Sequence, residues 1–93
     1  MYMKTTLHPI PEYHHKINDI DLASACVSLG IPLIDIEPQS RTKAFFLFEA
    51  SHKLDQTTQD FYEGKLRVDP LLFAQHRKYL KTRLFGLQAS IKF

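Results

Sequence analysis

Apolar residues along the chain recur at spacings that change several times, and each spacing predicts a different element. Leu22, Cys26 and Leu29 occupy i, i+4 and i+7 positions, which indicates a helix with a narrow buried stripe. Either aspartate before the stripe, at position 19 or 21, is suited to cap this helix. Gly30 is suited to end it, and Pro32 prevents the helix from resuming.

Alternating apolar and polar residues then predict a hairpin. In "LIDIE", residues 33–37, Ile34 and Ile36 are expected on one face and the two acidic residues on the other. "KAFFLFE", residues 43–49, supplies the second strand, and the polar "PQSRT" between them has a suitable loop length. Because the second strand is apolar on both faces, it is expected to be central, covered on both sides, or exposed for a partner.

Another helix is predicted over residues 52–63, with Gly64 as its stop. Its expected apolar side consists of Leu54, Thr58, Phe61 and Tyr62. The "KLRV" run at residues 65–68 is expected to be extended and is a candidate for a third short strand.

The third predicted helix has the clearest boundaries. Asp69 supplies a capping carboxylate, Pro70 takes the first helical position, and Gly86 is expected to end the helix. On a helical wheel, the expected core line consists of Phe73, Leu80 and Leu84.

Together these elements predict a small single α+β domain over residues 19–86. Its β-hairpin, with room for a third strand, packs on two or three helices in the order α-β-β-α-α. Residues 1–18, which contain two prolines, are expected to form an extended arm before the domain. Residues 87–93 are expected to form a tail or an edge strand. The 93 residues leave no room for a second domain.

Charge is distributed unevenly, although the net charge is only +2. The first 63 residues carry 5 Lys or Arg and 9 Asp or Glu, a net of −4. The remaining residues carry 7 Lys or Arg and one acid, a net of +6. Such asymmetry points to a partner for the basic end of the chain.

Five basic residues form the candidate binding surface: Lys65, Arg67, Arg77, Lys78 and Lys81. The last three follow one flank of the third helix, and the first two precede it. This arrangement is typical of contact with a nucleic-acid phosphate backbone, without reading of the bases. Two alternatives remain open: an acidic partner protein, or a face that is solvated or paired with the chain's own carboxylates.

The residue types that serve catalysis or metal binding do not occur here at the spacings typical of such sites. The 5 histidines form no i, i+4 pair, and no glycine-rich phosphate loop or nucleophile motif is present. Asp35 and Glu37 share a strand face, but they are explained as the polar side of a half-exposed strand, with Lys43 nearby. The sequence therefore predicts a non-enzymatic protein with no cofactor and no metal.

The compartment follows from the single cysteine and the absence of long apolar runs. Cys26 has no partner for an internal disulfide, which suits a reducing environment. No apolar run approaches the roughly 18 residues that span a membrane, and the N-terminus lacks the apolar core of a signal peptide. We expect a cytoplasmic protein without membrane contact.

The stretch "FYEGKLRVDPLLF", residues 61–73, joins an aromatic pair, a glycine, a basic extended turn and the Val-Asp-Pro start of a helix. With "LIDIE" and "KAFFLFE" before it, this pattern resembles a family of short bacterial and phage proteins catalogued as a domain of unknown function. The resemblance covers roughly residues 20–85. It implies an α+β domain in a bacterial or mobile-element context and brings no catalytic residues with it.

Two functions fit these observations. The first is a nucleic-acid-associated module that uses the five basic residues. The alternative is a protein–protein interaction module, an accessory subunit or a phage-type inhibitor of a host machine, which uses the arm and the aromatic strand. Its expected contacts are Tyr13, Phe45 and Leu47. A homo-oligomer that buries this strand would weaken that alternative.

Overall fold

The computed structural model describes residues 14–91, which contain three strands and three helices. The elements are β1 (His14–Ile17), α1 (Ile20–Ser28), β2 (Leu33–Pro38), β3 (Ala44–Glu49), α2 (His52–Tyr62) and α3 (Pro70–Ala89). The predicted α+β class, a hairpin with a third strand packed on three helices, is confirmed.

The three strands form one antiparallel sheet in the order β1-β3-β2, so β3 is central, as its two apolar faces allowed. The third strand is β1, from the end of the expected arm, whereas residues 65–68 form no strand. Ile17 lies opposite Phe46 and is buried in the core. The sheet therefore begins before residue 19, and residues 1–13 lie outside the described part of the chain.

Strand β2 contains a β-bulge at Ile34. Leu33 lies opposite Phe48, but after the extra residue the pairing has shifted by one position along β3. Ile34 is therefore exposed, while Leu33 and Ile36 face the core. The prediction that Ile34 and Ile36 share a face was wrong, because the bulge breaks the strand alternation at this point.

Helix α1 begins and ends as predicted. The Asp19 side chain accepts hydrogen bonds from the backbone N–H groups of Asp21 and Leu22 at 2.8 and 3.3 Å. Gly30 has a φ of +85°, the left-handed conformation that favours glycine after a helix. All five residues from 22 to 26 are buried, so the buried face is wider than the predicted stripe. The reason is that α1 contacts α2, α3 and β1 at once.

Helix α2 is capped by Ser51 and is followed by Gly64, whose φ of +73° confirms the predicted stop. Its buried residues are Leu54 and Thr57, and Tyr62 is exposed. The predicted apolar side is confirmed at Leu54 and at Phe61, which packs against the core, whereas Thr57 is buried in place of Thr58 and Tyr62 lies outside the apolar side.

Helix α3 starts at Pro70 as predicted but continues through Gly86 to Ala89. Gly86 does not adopt a positive φ, and its backbone remains helical. The expected tail thus contributes a further helical turn, in which Leu87 packs against the core. In the last turn, the Gln88 side-chain amide donates a hydrogen bond to the Ser40 carbonyl oxygen at 2.9 Å. This bond ties the end of α3 to the hairpin loop.

One hydrophobic cluster holds the helices to one face of the sheet. Its buried members include Ile17, Leu22, Cys26, Ile36, Phe46, Phe48, Leu54 and Leu80. Within residues 14–91, no helix is both long and apolar enough to cross a membrane.

Candidate functional site

Helix α3 carries the predicted basic surface, and its N-terminus is set by local hydrogen bonds. The Asp69 side chain accepts from the backbone N–H groups of Leu71 and Leu72 at 2.8 and 3.1 Å. Pro70 occupies the first turn, where its missing N–H leaves no hydrogen bond unmade. This confirms the predicted start of the helix.

A single line of side chains attaches α3 to the core. Leu80 is 0% exposed, and Leu84 and Leu87 pack against the core while partly exposed. Phe73 was predicted on the same line, but it is half-buried and borders a surface depression instead. The core line is therefore displaced toward the C-terminal half of the helix. As a result, both flanks of α3 remain accessible.

Arg77 is the predicted basic residue that the structure binds most firmly within the chain. Its Nε–H donates to the Asp21 Oδ1 of α1 at 2.6 Å, and its side chain is 38% exposed. The pairing alternative for the basic face thus holds at this position. It does not extend to its two lysine neighbours: among residues 14–91, no carboxylate lies within ion-pair distance of Lys78 or Lys81.

These residues lie on what we call the basic flank of α3, defined by Phe73, Arg77, Lys78, Lys81 and Phe85. They line an open depression of about 480 Å³. Phe85 is 60% exposed, and the Lys81 ammonium lies 5.8 Å from the centre of its ring. The flank therefore presents cations beside exposed aromatic surface.

The two remaining predicted basic residues lie in the linker between α2 and α3. Lys65 Nζ is 3.1 Å from Glu63 Oε1, and both side chains are largely solvated. Hydrogen bonds from Gln59 and then from Lys65 hold the pKa of Glu63 below its ordinary value. Arg67 is exposed, with no carboxylate at ion-pair distance within the described residues. The N-cap lies about 12 Å along the axis from Arg77, given the helical rise of 1.5 Å per residue. Lys65 and Arg67 are therefore at the start of α3, outside the basic flank.

The opposite flank of α3 borders an apolar groove of about 410 Å³. Val27 of α1 and Leu33 of β2 form one wall, and Tyr79 and Leu80 form the other. The Arg83 guanidinium lies 5.7 Å from the centre of the Tyr79 ring and closes one side. This groove is a second candidate contact surface.

The aromatic strand offers less surface than its composition indicates. Leu47 is 6% exposed, and Phe45 is half-buried with the Lys16 ammonium 5.3 Å from its ring centre. Lys16 also pairs with Glu37 at 3.2 Å, in place of the Lys43 contact that the sequence predicted. Tyr13, the other predicted protein contact, lies outside the described residues.

Acid–base and metal-binding groups are scattered over the described part of the chain. Residues 14–91 contain no group of three His, Cys, Asp or Glu side chains that could hold a metal ion. The Asp35 carboxylate accepts from the Ile36 backbone N–H at 2.8 Å, a local contact within the strand. Burial raises the pKa of the Cys26 thiol to about 11, which keeps it protonated and unreactive near neutral pH.

Phe85 and the apolar groove were not among the contact surfaces that the sequence predicted. A signal for Phe85 was present: it follows Lys81 by four residues, which places the two side chains on one face of a helix. The groove had no such signal, because its walls come from α1, β2 and α3, which are far apart in the chain.

The chain was compared with protein families, curated proteins and solved structures. The model of the family described as Domain of unknown function (DUF5659) matches residues 12–86. The chain belongs to this family, and the matched region includes β1 as well as the segment that carried the resemblance. No curated protein and no solved structure matches the chain.

Proposed function

We propose that this member of the DUF5659 family is a non-enzymatic module that binds nucleic acid through the basic flank of α3. One observation carries the proposal: Lys78 and Lys81 project beside Arg77 without a carboxylate at ion-pair distance among residues 14–91. Cations on a solvated helix face, without an ion-pair partner in the described part of the chain, are suited to meet phosphates. The helix itself is held by the core on another side, so the flank is free to make contact.

The expected salt dependence of binding follows from the number of cations that have no ion-pair partner among residues 14–91. Each phosphate contact lowers the slope of log K against log salt by about 0.7 for single strands and 0.9 for duplexes. Lys78, Lys81 and Arg67 can each take a phosphate without breaking an ion pair. Arg77 and Lys65 must exchange Asp21 and Glu63 for phosphate. We therefore expect a slope of about −2 to −4.5, typical of modest and salt-sensitive affinity.

The test compares two double variants that remove the same charge. Lys78→Ala with Lys81→Ala removes two cations from the basic flank. The control, Lys16→Ala with Arg83→Ala, removes two cations from the sheet and from the opposite flank of α3. Binding to labelled oligonucleotides is followed by fluorescence anisotropy from 20 to 200 mM salt, after thermal unfolding has shown that both variants fold.

The first variant is expected to weaken binding and to flatten the salt slope by about 1.5, and the control is expected to change the slope little. Equal weakening by both variants would reject the basic flank as the site, because it would reflect net charge alone. Absence of binding at 20 mM salt to every oligonucleotide would reject the proposed function.

The apolar groove supports a second candidate, a protein-interaction module. Tyr79 is exposed at its rim, and Val27, Leu33 and Leu80 supply the apolar walls that an inserted side chain needs. This moves the protein contact from the aromatic strand to α3. The occupant would be an accessory-complex subunit, a host protein inhibited by a phage product, or a second copy of this chain. Tyr79→Ser should abolish such an association and leave oligonucleotide binding unchanged.

A cytoplasmic location, in a bacterium or its phage, belongs to the same proposal. Cys26 is the single cysteine, is fully buried, and remains a protonated thiol, as in proteins of reducing compartments. That compartment is also where such a module would meet nucleic acid.

A further inference from the structure

The exposure of Phe85 distinguishes the basic flank from an ordinary solvated lysine face. The ring lies outside the core cluster and leaves 60% of the residue in contact with water, near the end of a helix that is otherwise well capped. Such exposure leaves apolar ring surface in water, where burial would be favourable, and the ring's contact with the Lys81 ammonium covers only part of it. Together with half-buried Phe73, it places aromatic surface on the same flank as Lys78 and Lys81.

We infer that the basic flank takes single-stranded nucleic acid, with Phe85 as the platform on which a base stacks. This inference rests on the proposed function and names its substrate class. Lys81 and Phe85 are four residues apart on α3, about 6 Å along the axis, and lie on the same face. The Lys81 ammonium now lies over the Phe85 ring. On binding, it moves to a phosphate, and the ring face becomes free for the adjoining base.

A duplex would leave this aromatic surface unused. Base faces inside a duplex are covered by their neighbours, and only their edges are accessible in the grooves. Unpaired bases expose their faces and stack on aromatic side chains irrespective of sequence. Lys78 and Lys81 have no ion-pair partner among the described residues, and the neighbouring Arg77 is already paired with Asp21. So few cations supply few phosphate contacts, and stacking must supply part of the affinity. Both features favour a single strand.

Phe85→Leu tests the ring, because it keeps an apolar side chain and removes the flat surface. The matched control is Tyr62→Leu, which removes an exposed ring from α2. The probes are one 15-nucleotide sequence as single-stranded DNA, as single-stranded RNA and as duplex DNA, and an abasic strand with the same phosphates. The two single strands show whether DNA or RNA is preferred.

The wild-type chain is expected to bind the base-containing single strands at least 10-fold more tightly than the duplex or the abasic strand. Phe85→Leu should weaken that binding about 5- to 150-fold, the range for loss of one stacked base. Its salt slope should stay unchanged, because no charge is removed. Tyr62→Leu should bind as the wild type does.

Phe85→Trp supplies an independent readout, since the chain contains no tryptophan. This variant keeps an aromatic platform, so it should bind at least as tightly, and stacked bases should quench its emission. The duplex should quench it far less, and the emission of the Tyr62→Trp variant should not respond to either.

The inference would be overturned, with the proposed function intact, if duplex and abasic strands bound as tightly as the single strand and Phe85→Leu changed nothing. Tighter binding of an acidic peptide such as oligoglutamate than of any single strand would also overturn it. If no oligonucleotide bound at low salt, the proposed function itself would fail.

Discussion

Replacement of Leu80 by alanine tests how α3 is attached to the domain. Leu80 is the fully buried residue of this 20-residue helix, and it packs in the same cluster as Leu54 and Phe48. A buried Leu→Ala change costs about 2–5 kcal/mol, depending on how far the surroundings collapse into the cavity. Partly exposed neighbours such as Leu84 can shift, so we expect about 3 kcal/mol, near the lower part of that range.

The matched control is Leu71→Ala, the same substitution on the same helix at a residue that is 66% exposed. It should change the free energy of unfolding by less than about 0.5 kcal/mol, as surface substitutions do. For a domain of this size, the Leu80 variant should melt roughly 12–24 °C lower, at 4–8 °C per kcal/mol.

Urea unfolding followed by circular dichroism measures both variants, and an unchanged m-value shows that the same surface unfolds. If Leu80→Ala and Leu71→Ala cost the same, α3 does not pack through one line of side chains. The basic flank would then have no fixed position, and the binding proposal would lose its structural basis.

Three further predictions concern single contacts of the fold. A double-mutant cycle on Arg77 and Asp21 should give a coupling free energy of at most about 1 kcal/mol, because both side chains are partly solvated. This coupling should fall in high salt, and a value above about 2 kcal/mol would contradict the prediction. Gly86→Ala should stabilise the domain by about 0.5–1 kcal/mol in thermal unfolding, since the Gly86 backbone is helical and an added Cβ would meet open space. Gly64→Ala should destabilise the domain by about 1 kcal/mol because Gly64 has a positive φ. Effects of the same sign would refute the assigned backbone conformations. Burial raises the pKa of the Cys26 thiol from 9.0 to about 11, so the folded domain keeps a proton that the unfolded chain releases, and the free energy of unfolding should fall as the pH rises from about 9 to about 11. A thiol reagent at pH 8 should label Cys26 only after unfolding. Rapid labelling of the folded domain would show that the thiol is not buried.

Signals contained within a few residues were sufficient to predict helix starts and two of the helix ends. Asp69 with Pro70 specifies its own backbone hydrogen bonds, and Gly30 and Gly64 take the conformation that ends a helix. Gly86 carries the same local signal, yet the helix continues. Beyond it, Leu87 packs on the core and Gln88 bonds to the hairpin loop, and these contacts come from distant parts of the chain.

The features that the sequence did not predict depend on pairing between distant segments. One of the two partners of β3 is β1, a short segment with two histidines and little of the alternation typical of a strand. Its register is set by pairing with β3, and the β-propensity of its own residues does not specify that register. The bulge at Ile34 likewise follows from pairing. Arg77 and Asp21 are 56 positions apart, so the sequence could identify the basic stripe but not which of its members is neutralised.

Mapping of the bound oligonucleotide onto the folded chain tests the central claim most directly. A ¹⁵N-labelled sample is titrated with a short single-stranded oligonucleotide at low salt, and backbone amide shifts are followed by NMR. The account predicts that the largest shifts fall within residues 73–85 on the basic flank, at and around Lys78, Lys81 and Phe85. Largest shifts at the groove walls, Val27 and Leu33, or no shifts at saturating oligonucleotide, would contradict it.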